Sequence, residues 1–258
     1  MNILQALDDP QLFAPWFKRR GDWLSWRSWL AAAFGLPMTP EMLAIYQRCT
    51  GREAPPSSPV SECWMICGRR AGKSFHMALT ATFLACFGEY RQYLARGERG
   101  TILILATDKR QARTVVRYIR GLITGVPMLA QMIERDTAAG FDLTNRITIE
   151  VGAASMKTTR GYTIAACLCD EIAFWPTGDD AAEPDYSVLD AIRPAMATIP
   201  SAKLLCASSP YARRGALHGI ALYRWGPAVA CGDHRTSNEY GIRSPCWTVD
   251  TSCPNVID

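Results

Sequence analysis

The chain has 258 residues where a domain averages about 150, so it fits one large domain or a domain with an appendage, and its 28 basic against 24 acidic residues leave only +4, too little to demand a nucleic-acid partner. Apolar residues make up 48% and charged residues 20%, with 19 Gly and 16 Pro, which excludes a disordered or collagen-like chain and leaves a globular one able to bury a core. Ten Cys with no C-x-x-C pair speak against a disulfide-stapled secreted module and a zinc site, and fit reduced thiols. Asp8, Asp9 and Pro10 stand where a secretory signal needs apolar residues, and no apolar run approaches the ~18 residues of a membrane span. A soluble protein of the cytoplasm, with no membrane partner, is expected.

In chain order, Leu12 to Phe34 carries Trp16, Trp23, Trp26, Trp29 and Leu30 at spacings that suit a helical face, broken at Gly21-Asp22, which predicts one or two helices. Trp23 and Trp26 lie three apart and share a face. Core packing accounts for them better than a stacking platform for bases, given the area each ring must bury. Pro37-Met38-Thr39-Pro40 starts a short helix through Tyr46, and Gly51 to Pro59 is a loop, so residues 1–60 read as a helical preface. Apolar runs at Cys63 to Cys67, Ile102 to Ala106, Ile147 to Val151, Ile164 to Cys169 and Leu204 to Ala207 read as buried strands. Helix-length segments lie between them, at Lys73 to Leu94, Lys109 to Thr124 and Tyr186 to Met196. Strands alternating with helices over residues 61–218 predict an α/β fold built on a parallel sheet. Residues 219–258 have little periodicity and many turn formers, and an irregular tail is expected.

The sharpest local feature is Cys67-Gly68-Arg69-Arg70-Ala71-Gly72-Lys73-Ser74, set between the run WMIC and the helical segment FHMALTATFLACF. It fits strand, loop and helix, the context of a phosphate-binding G-x-x-x-x-G-K-[ST] loop, with Cys67 where the first Gly normally stands. Gly68, Arg69, Arg70, Ala71 and Gly72 would bring the backbone around the phosphates of ATP. Lys73 would reach the β and γ oxygens, and Ser74 would offer its hydroxyl to Mg²⁺ at a helix start whose dipole favours anions. The fold class this implies is a P-loop NTPase of the RecA-like kind. Ile164 to Glu171 then has the form of an apolar strand ending in two carboxylates: Asp170 would hold Mg²⁺ through a water, and Glu171 would polarise the water that attacks the γ-phosphate. Cys167 and Cys169 alternate with Leu168 and face one side of the sheet as buried thiols.

Three further features have open readings. Arg69 or Arg70 can act as an arginine finger in cis, or both can neutralise ground-state phosphate or pair with a carboxylate. Ser208-Ser209 follow a strand at the sheet edge where α/β folds bind ligands, and can sense the γ-phosphate or merely end the strand. Arg110, Arg113, Arg117 and Arg120 fall within about 80° of one another on a helix. They form a basic stripe, either solvated or laid against DNA phosphates.

With these pieces in place the chain resembles the ATPase part of the large terminase subunit of tailed bacteriophages, over roughly Trp16 to Leu217. The likeness rests on SWRSWLAAAFGLP, the CTGR of Cys49 to Arg52, ICGRRAGKS, the TTRGYT before ACLCDE, and CASSPYARRGAL. It implies ATP hydrolysis with Mg²⁺, driving double-stranded DNA into procapsids from a homo-oligomeric ring on the capsid portal, with a small terminase subunit as partner, in the host cytoplasm. Residue by residue it assigns Lys73 and Ser74 to phosphate and Mg²⁺, Arg69 to the in-loop arginine finger, Asp170 and Glu171 to metal binding and catalysis, Ser208 and Ser209 to a coupling motif, and Gln47 to adenine. Two departures stand out. Cys67 replaces the consensus Gly, and the family's ribonuclease-H-like nuclease has no counterpart in the residues after Leu217, whose acids are Asp233, Glu239, Asp250 and Asp258. No DNA cleavage is therefore expected from this chain, and the tail reads as a truncated or frame-shifted end. A nucleic-acid-stimulated helicase-like ATPase and a prophage remnant without turnover are the rival readings.

Overall fold

The structure is a computed structural model that describes residues 1–17, 23–68, 70–155, 161–177, 184–209, 211, 214–217 and 246–250, the last stretch as backbone alone. Its strands are β1 (Glu62–Ile66), β2 (Gly100–Ala106), β3 (Ile133–Asp136), β4 (Gly140–Leu143), β5 (Ile147–Ala153), β6 (Thr163–Asp170), β7 (Lys203–Ser208) and β8 (Cys246–Asp250). They form one sheet in the order β3-β4-β5-β2-β6-β7-β1-β8. The five expected runs supply the parallel centre, β5-β2-β6-β7-β1, while β4 and β3 turn antiparallel at one edge and β8 at the other. Every residue of β1, β2 and β7 is buried. A parallel strand covered on both faces has no side for water, which is why these segments read as continuous apolar runs and not as alternating ones.

The helices are α1 (Ile3–Asp8), α2 (Leu24–Ala33), α3 (Pro40–Thr50), α4 (Lys73–Phe87), α5 (Lys109–Thr124), α6 (Pro127–Ala130) and α7 (Asp185–Met196). Helices α4 and α5 pack on each other and on the central strands, and α7 packs on β6. The N-terminal helices are part of the same core: Trp29 and Leu30 of α2 are wholly buried in one apolar cluster with β1 and β2. Lys203, buried at the start of β7, ties them down further. Its Nζ donates to Ala33 O at 3.0 Å and Val60 O at 2.5 Å and lies 4.8 Å from the Phe34 ring centre. Burial lowers the pKa of this ammonium, and the two carbonyls satisfy it in place of water.

The structure corrects the sequence reading at five places. Helix α3 runs past Tyr46 to Thr50, where Gly51 at φ 69° supplies a left-handed cap and its N–H bonds Gln47 O at 2.8 Å. Helix α4 stops at Phe87 and not Leu94, because the buried Tyr90 ring folds over Gly88 so closely that a Cβ there would lie 2.3 Å from it. Helix α1 was not expected; Asn2 and Gln5 form a reciprocal capping box that holds this short helix. The β3-β4 hairpin was not expected either. Finally, residues 246–250, inside the segment expected to be irregular, form β8 and pair antiparallel with β1. Among the described residues no helix is long and apolar enough to cross a membrane.

Candidate functional site

Strand β7 lies between β1 and β6, and the register aligns Ile66 with Ser208 and Asp170 with Ala207. The loop after β1, the acids ending β6 and the serines ending β7 therefore emerge side by side at the carboxyl edge of the sheet, where open α/β sheets bind ligands. This topology joins residues far apart in sequence into one site.

The loop wraps tightly into α4. Arg70 at φ 63° and Gly72 at φ 88° take left-handed backbone, and Ala71 N donates to Gly68 O at 3.3 Å. Cys67 does not have positive φ, which is why a residue with a Cβ stands where the consensus has Gly. Its N–H bonds Ser208 O at 3.1 Å, continuing the β1-β7 ladder into the loop. Arg70 is exposed, and Arg69 lies outside the described residues.

Lys73 is buried at the first position of α4, yet its ammonium faces the site. Nζ donates to Ser209 Oγ at 2.8 Å, approaches the carbonyls of Cys67 and Gly68 at 3.4 and 3.5 Å, and sits 3.7 Å from Glu171 Oε1. The other oxygen of Glu171, Oε2, accepts from Ser208 Oγ at 3.0 Å and Ser209 N at 3.2 Å. Glu171 itself has φ 51°, an unfavourable backbone for a residue with a Cβ, and it begins a short 3₁₀ turn, Ile172–Phe174. The turn is anchored on both sides: Ala173 N donates to Ser208 Oγ at 3.2 Å and Trp175 Nε1 to Asp170 O at 3.1 Å.

Asp170 is 2% exposed. Burial first, and the neighbouring Glu171 charge second, push its carboxyl up to about 6, against the pull of Lys73 and Ser74. Ser74 Oγ lies 3.5 Å from Oδ2, and Oδ1 is buried with no hydrogen-bond partner among the described residues. An orphaned, desolvated carboxylate oxygen beside a hydroxyl is the donor set a hard divalent cation takes, so Asp170 and Ser74 fit Mg²⁺. Next to Glu171 a polar cavity of about 280 Å³ is lined by Thr107, Gln111, Glu171, Phe174 and Ser209. Sequence reading passed over Thr107 and Gln111, because a polar pair straddling a helix N-terminus gives no signal without the sheet order that brings it to Glu171.

The remaining expected residues divide. Gln47 is exposed and donates to Glu53 O at 2.8 Å, with no hydrogen bond to the phosphate loop among the described residues. Arg110, Arg113 and Arg117 are exposed on α5 and line an open groove opposite Ala138, Ala139 and Gly140. Arg120, on the same helix, pairs with Asp136 and stacks at 4.6 Å over the Phe141 ring. Cys167 and Cys169 are buried, as expected, with sulfurs 4.0 Å apart.

No family model matches the sequence, and no curated protein does. Among solved structures, the large terminase of bacteriophage HK97 is similar over 83% of this chain and 44% of its own, at 18% identity and a TM-score of 0.52. The fold is similar to that of a phage large terminase. The ATPase domain of the Thermus phage P74-26 large terminase is similar over 83% of this chain and 79% of its own, at 18% identity and a TM-score of 0.49. For the large terminase of another thermophilic bacteriophage the shares are 73% and 41%, at 14% identity and a TM-score of 0.47. The chain thus spans less than half the length of the HK97 protein.

Proposed function

We propose that the chain is an ATP-hydrolysing motor domain of a phage large terminase, acting on double-stranded DNA. The observation that carries the enzymatic part is the meeting of Lys73, Asp170, Glu171 and Ser209 at one sheet edge, with Lys73 Nζ 2.8 Å from Ser209 Oγ and 3.7 Å from Glu171 Oε1. In this reading the N–H groups of the loop and the start of α4 receive the phosphates. Lys73 swings from Glu171 and Ser209 to the β and γ oxygens. Released from Lys73, Glu171 takes the proton of the attacking water, which has room in the cavity shared with Thr107 and Gln111. Ser74 and Asp170 would hold Mg²⁺, which when bound would neutralise charge on the phosphate oxygens. Ser208 and Ser209, bonded to Glu171, register whether the γ-phosphate is present. An in-loop arginine, Arg69 or Arg70, adds positive charge to the transition state.

The DNA part of the reading is supported by Arg110, Arg113 and Arg117, three exposed cations along one groove of α5, whose N-terminal end also carries Gln111 of the catalytic cavity. A ring of copies on a capsid portal, loaded by a small terminase subunit in the host cytoplasm, completes the reading. Measuring ATP turnover with and without double-stranded DNA tests it. Turnover that requires Mg²⁺ and rises with DNA is expected; a chain that binds no nucleotide overturns the proposal.

A further inference from the structure

Helix α2, far from the loop in sequence, reaches it through a side-chain hydrogen bond. Trp26 Nε1 donates to Ala71 O at 3.0 Å. One peptide further on, Gly72 O accepts both the backbone N–H of His76 and the His76 ring nitrogen Nδ1, each at 3.0 Å. The two side chains also hold each other: the Trp26 and His76 rings stack 4.1 Å apart at an interplanar angle of 7°, and both are buried. A carbonyl oxygen only accepts, so the bond to Gly72 O requires the N–H on Nδ1.

In a trans peptide the C=O and the following N–H point in opposite directions across the plane. A carbonyl pinned on one side therefore aims the next N–H to the other. Trp26 pins the carbonyl of the Ala71-Gly72 peptide, and His76 pins that of the Gly72-Lys73 peptide. The N–H groups of Gly72 and Lys73, which have no acceptor among the described residues, are thereby turned to the side opposite those two pinned carbonyls. Gly72 at φ 88° supplies the left-handed backbone that lets consecutive N–H groups converge.

We propose that Trp26 and His76 are positioning residues for the phosphate site: they lock two consecutive loop carbonyls so that the N–H groups of Gly72 and Lys73 stand ready for an anion, making α2 part of the nucleotide site. The proposal rests on the nucleotide-binding reading above. The clamp has a firm base, because the Arg27 guanidinium on α2 forks onto Asp8 at 2.8 and 3.1 Å, and Trp23 and Phe75 flank His76 at ring distances of 5.1 and 5.6 Å. Without the clamp each peptide would have to be oriented at the expense of binding free energy.

The test compares MgATP binding by calorimetry for the wild type, Lys73→Ala, Trp26→Phe, His76→Leu and His76→Asn. Trp26→Phe keeps a stacking ring and removes the N–H; His76→Asn keeps a donor near the Nδ1 position and His76→Leu does not. Loss of one such hydrogen bond is expected to weaken MgATP by roughly 3- to 10-fold in Trp26→Phe and His76→Leu, with His76→Asn recovering most of it and kcat at saturating ATP unchanged. In ¹⁵N spectra the indole N–H signal absent from Trp26→Phe should shift when MgATP is added to the wild type. A merely structural role would lower the melting temperature and the active fraction while leaving Kd as it was. Wild-type affinity in both Trp26→Phe and His76→Leu overturns the inference while the nucleotide reading survives. A wild type that binds no better than Lys73→Ala overturns the nucleotide reading, and the inference with it.

Discussion

Replacing Asp170 with Asn should stabilise the metal-free protein at neutral pH while removing its turnover. The carboxyl is 2% exposed, and its pKa stands at about 6 against an ordinary 3.8. Below pH 3.8 it is protonated in both folded and unfolded chains and costs nothing. As the pH rises from there to 6, the unfolded chain ionises first, the folded state binds more protons, and stability falls; above 6 the loss is constant. A gap of about two units at 1.36 kcal/mol each sets that loss near 3 kcal/mol. Asn has the same shape and no charge, but its amide replaces an oxygen that already lacks a partner, which returns about 1 kcal/mol or more of the gain. A net gain of about 1 to 2 kcal/mol, or roughly 2 to 8 °C in melting temperature for a chain of this size, is expected at pH 8. Urea unfolding followed by tryptophan fluorescence in EDTA at pH 4.5 and pH 8 measures it, and the advantage should shrink at the lower pH. An Asn variant less stable than wild type at pH 8, or an advantage independent of pH, would refute the idea that Asp170 is held as a strained, metal-ready charge.

Two other perturbations follow from the same geometry. Lys73→Ala removes the only lysine ammonium that reaches Ser209 and Glu171 among the described residues; calorimetry should show MgATP binding weakened by at least about 10-fold, and turnover should vanish. Double charge reversal at Arg113 and Arg117 should cost less than about 0.5 kcal/mol of stability, because both are exposed, yet flatten the salt dependence of DNA affinity by about two phosphate contacts, as read by fluorescence anisotropy across a salt series.

The parallel core was legible because its strands are buried on both faces and the signal is the apolar run itself. Helix α5 was legible to its ends, since Asp108 caps it and its apolar and basic positions separate cleanly; Asp108 Oδ1 accepts from Arg110 N at 2.8 Å. The β3-β4 hairpin was hidden by Asp142, a buried carboxylate inside β4. It is held by Arg135 Nε and Thr148 Oγ1 at 2.6 Å, with Arg99 at 3.6 Å, and such partners are invisible until the chain is folded. At the site, Lys73 and Ser74 at the start of α4 and Asp170 and Glu171 at the end of β6 stood out in the sequence because the phosphate-loop pattern sets those residue types in a strand, loop and helix context. Trp26 and His76 did not: as letters they fit a hydrophobic stripe, and only the fold reveals that a ring N–H of each ends on a loop carbonyl. For Arg120 the helical spacing was legible but not the partners, Asp136 and Phe141, which come from a neighbouring hairpin.

The central claim is that Glu171 is a base beside a nucleotide held by other groups. Its carboxylate contacts Lys73, Ser208 and Ser209, and Gln can keep the hydrogen bonds from the two serines while losing the basicity. Calorimetric affinity for MgATP and steady-state phosphate release, measured side by side for wild type and Glu171→Gln, test it most directly. The account predicts affinity within about threefold of wild type and turnover lower by roughly 100-fold or more. Turnover retained in Glu171→Gln, or affinity and turnover falling together in proportion, would contradict it.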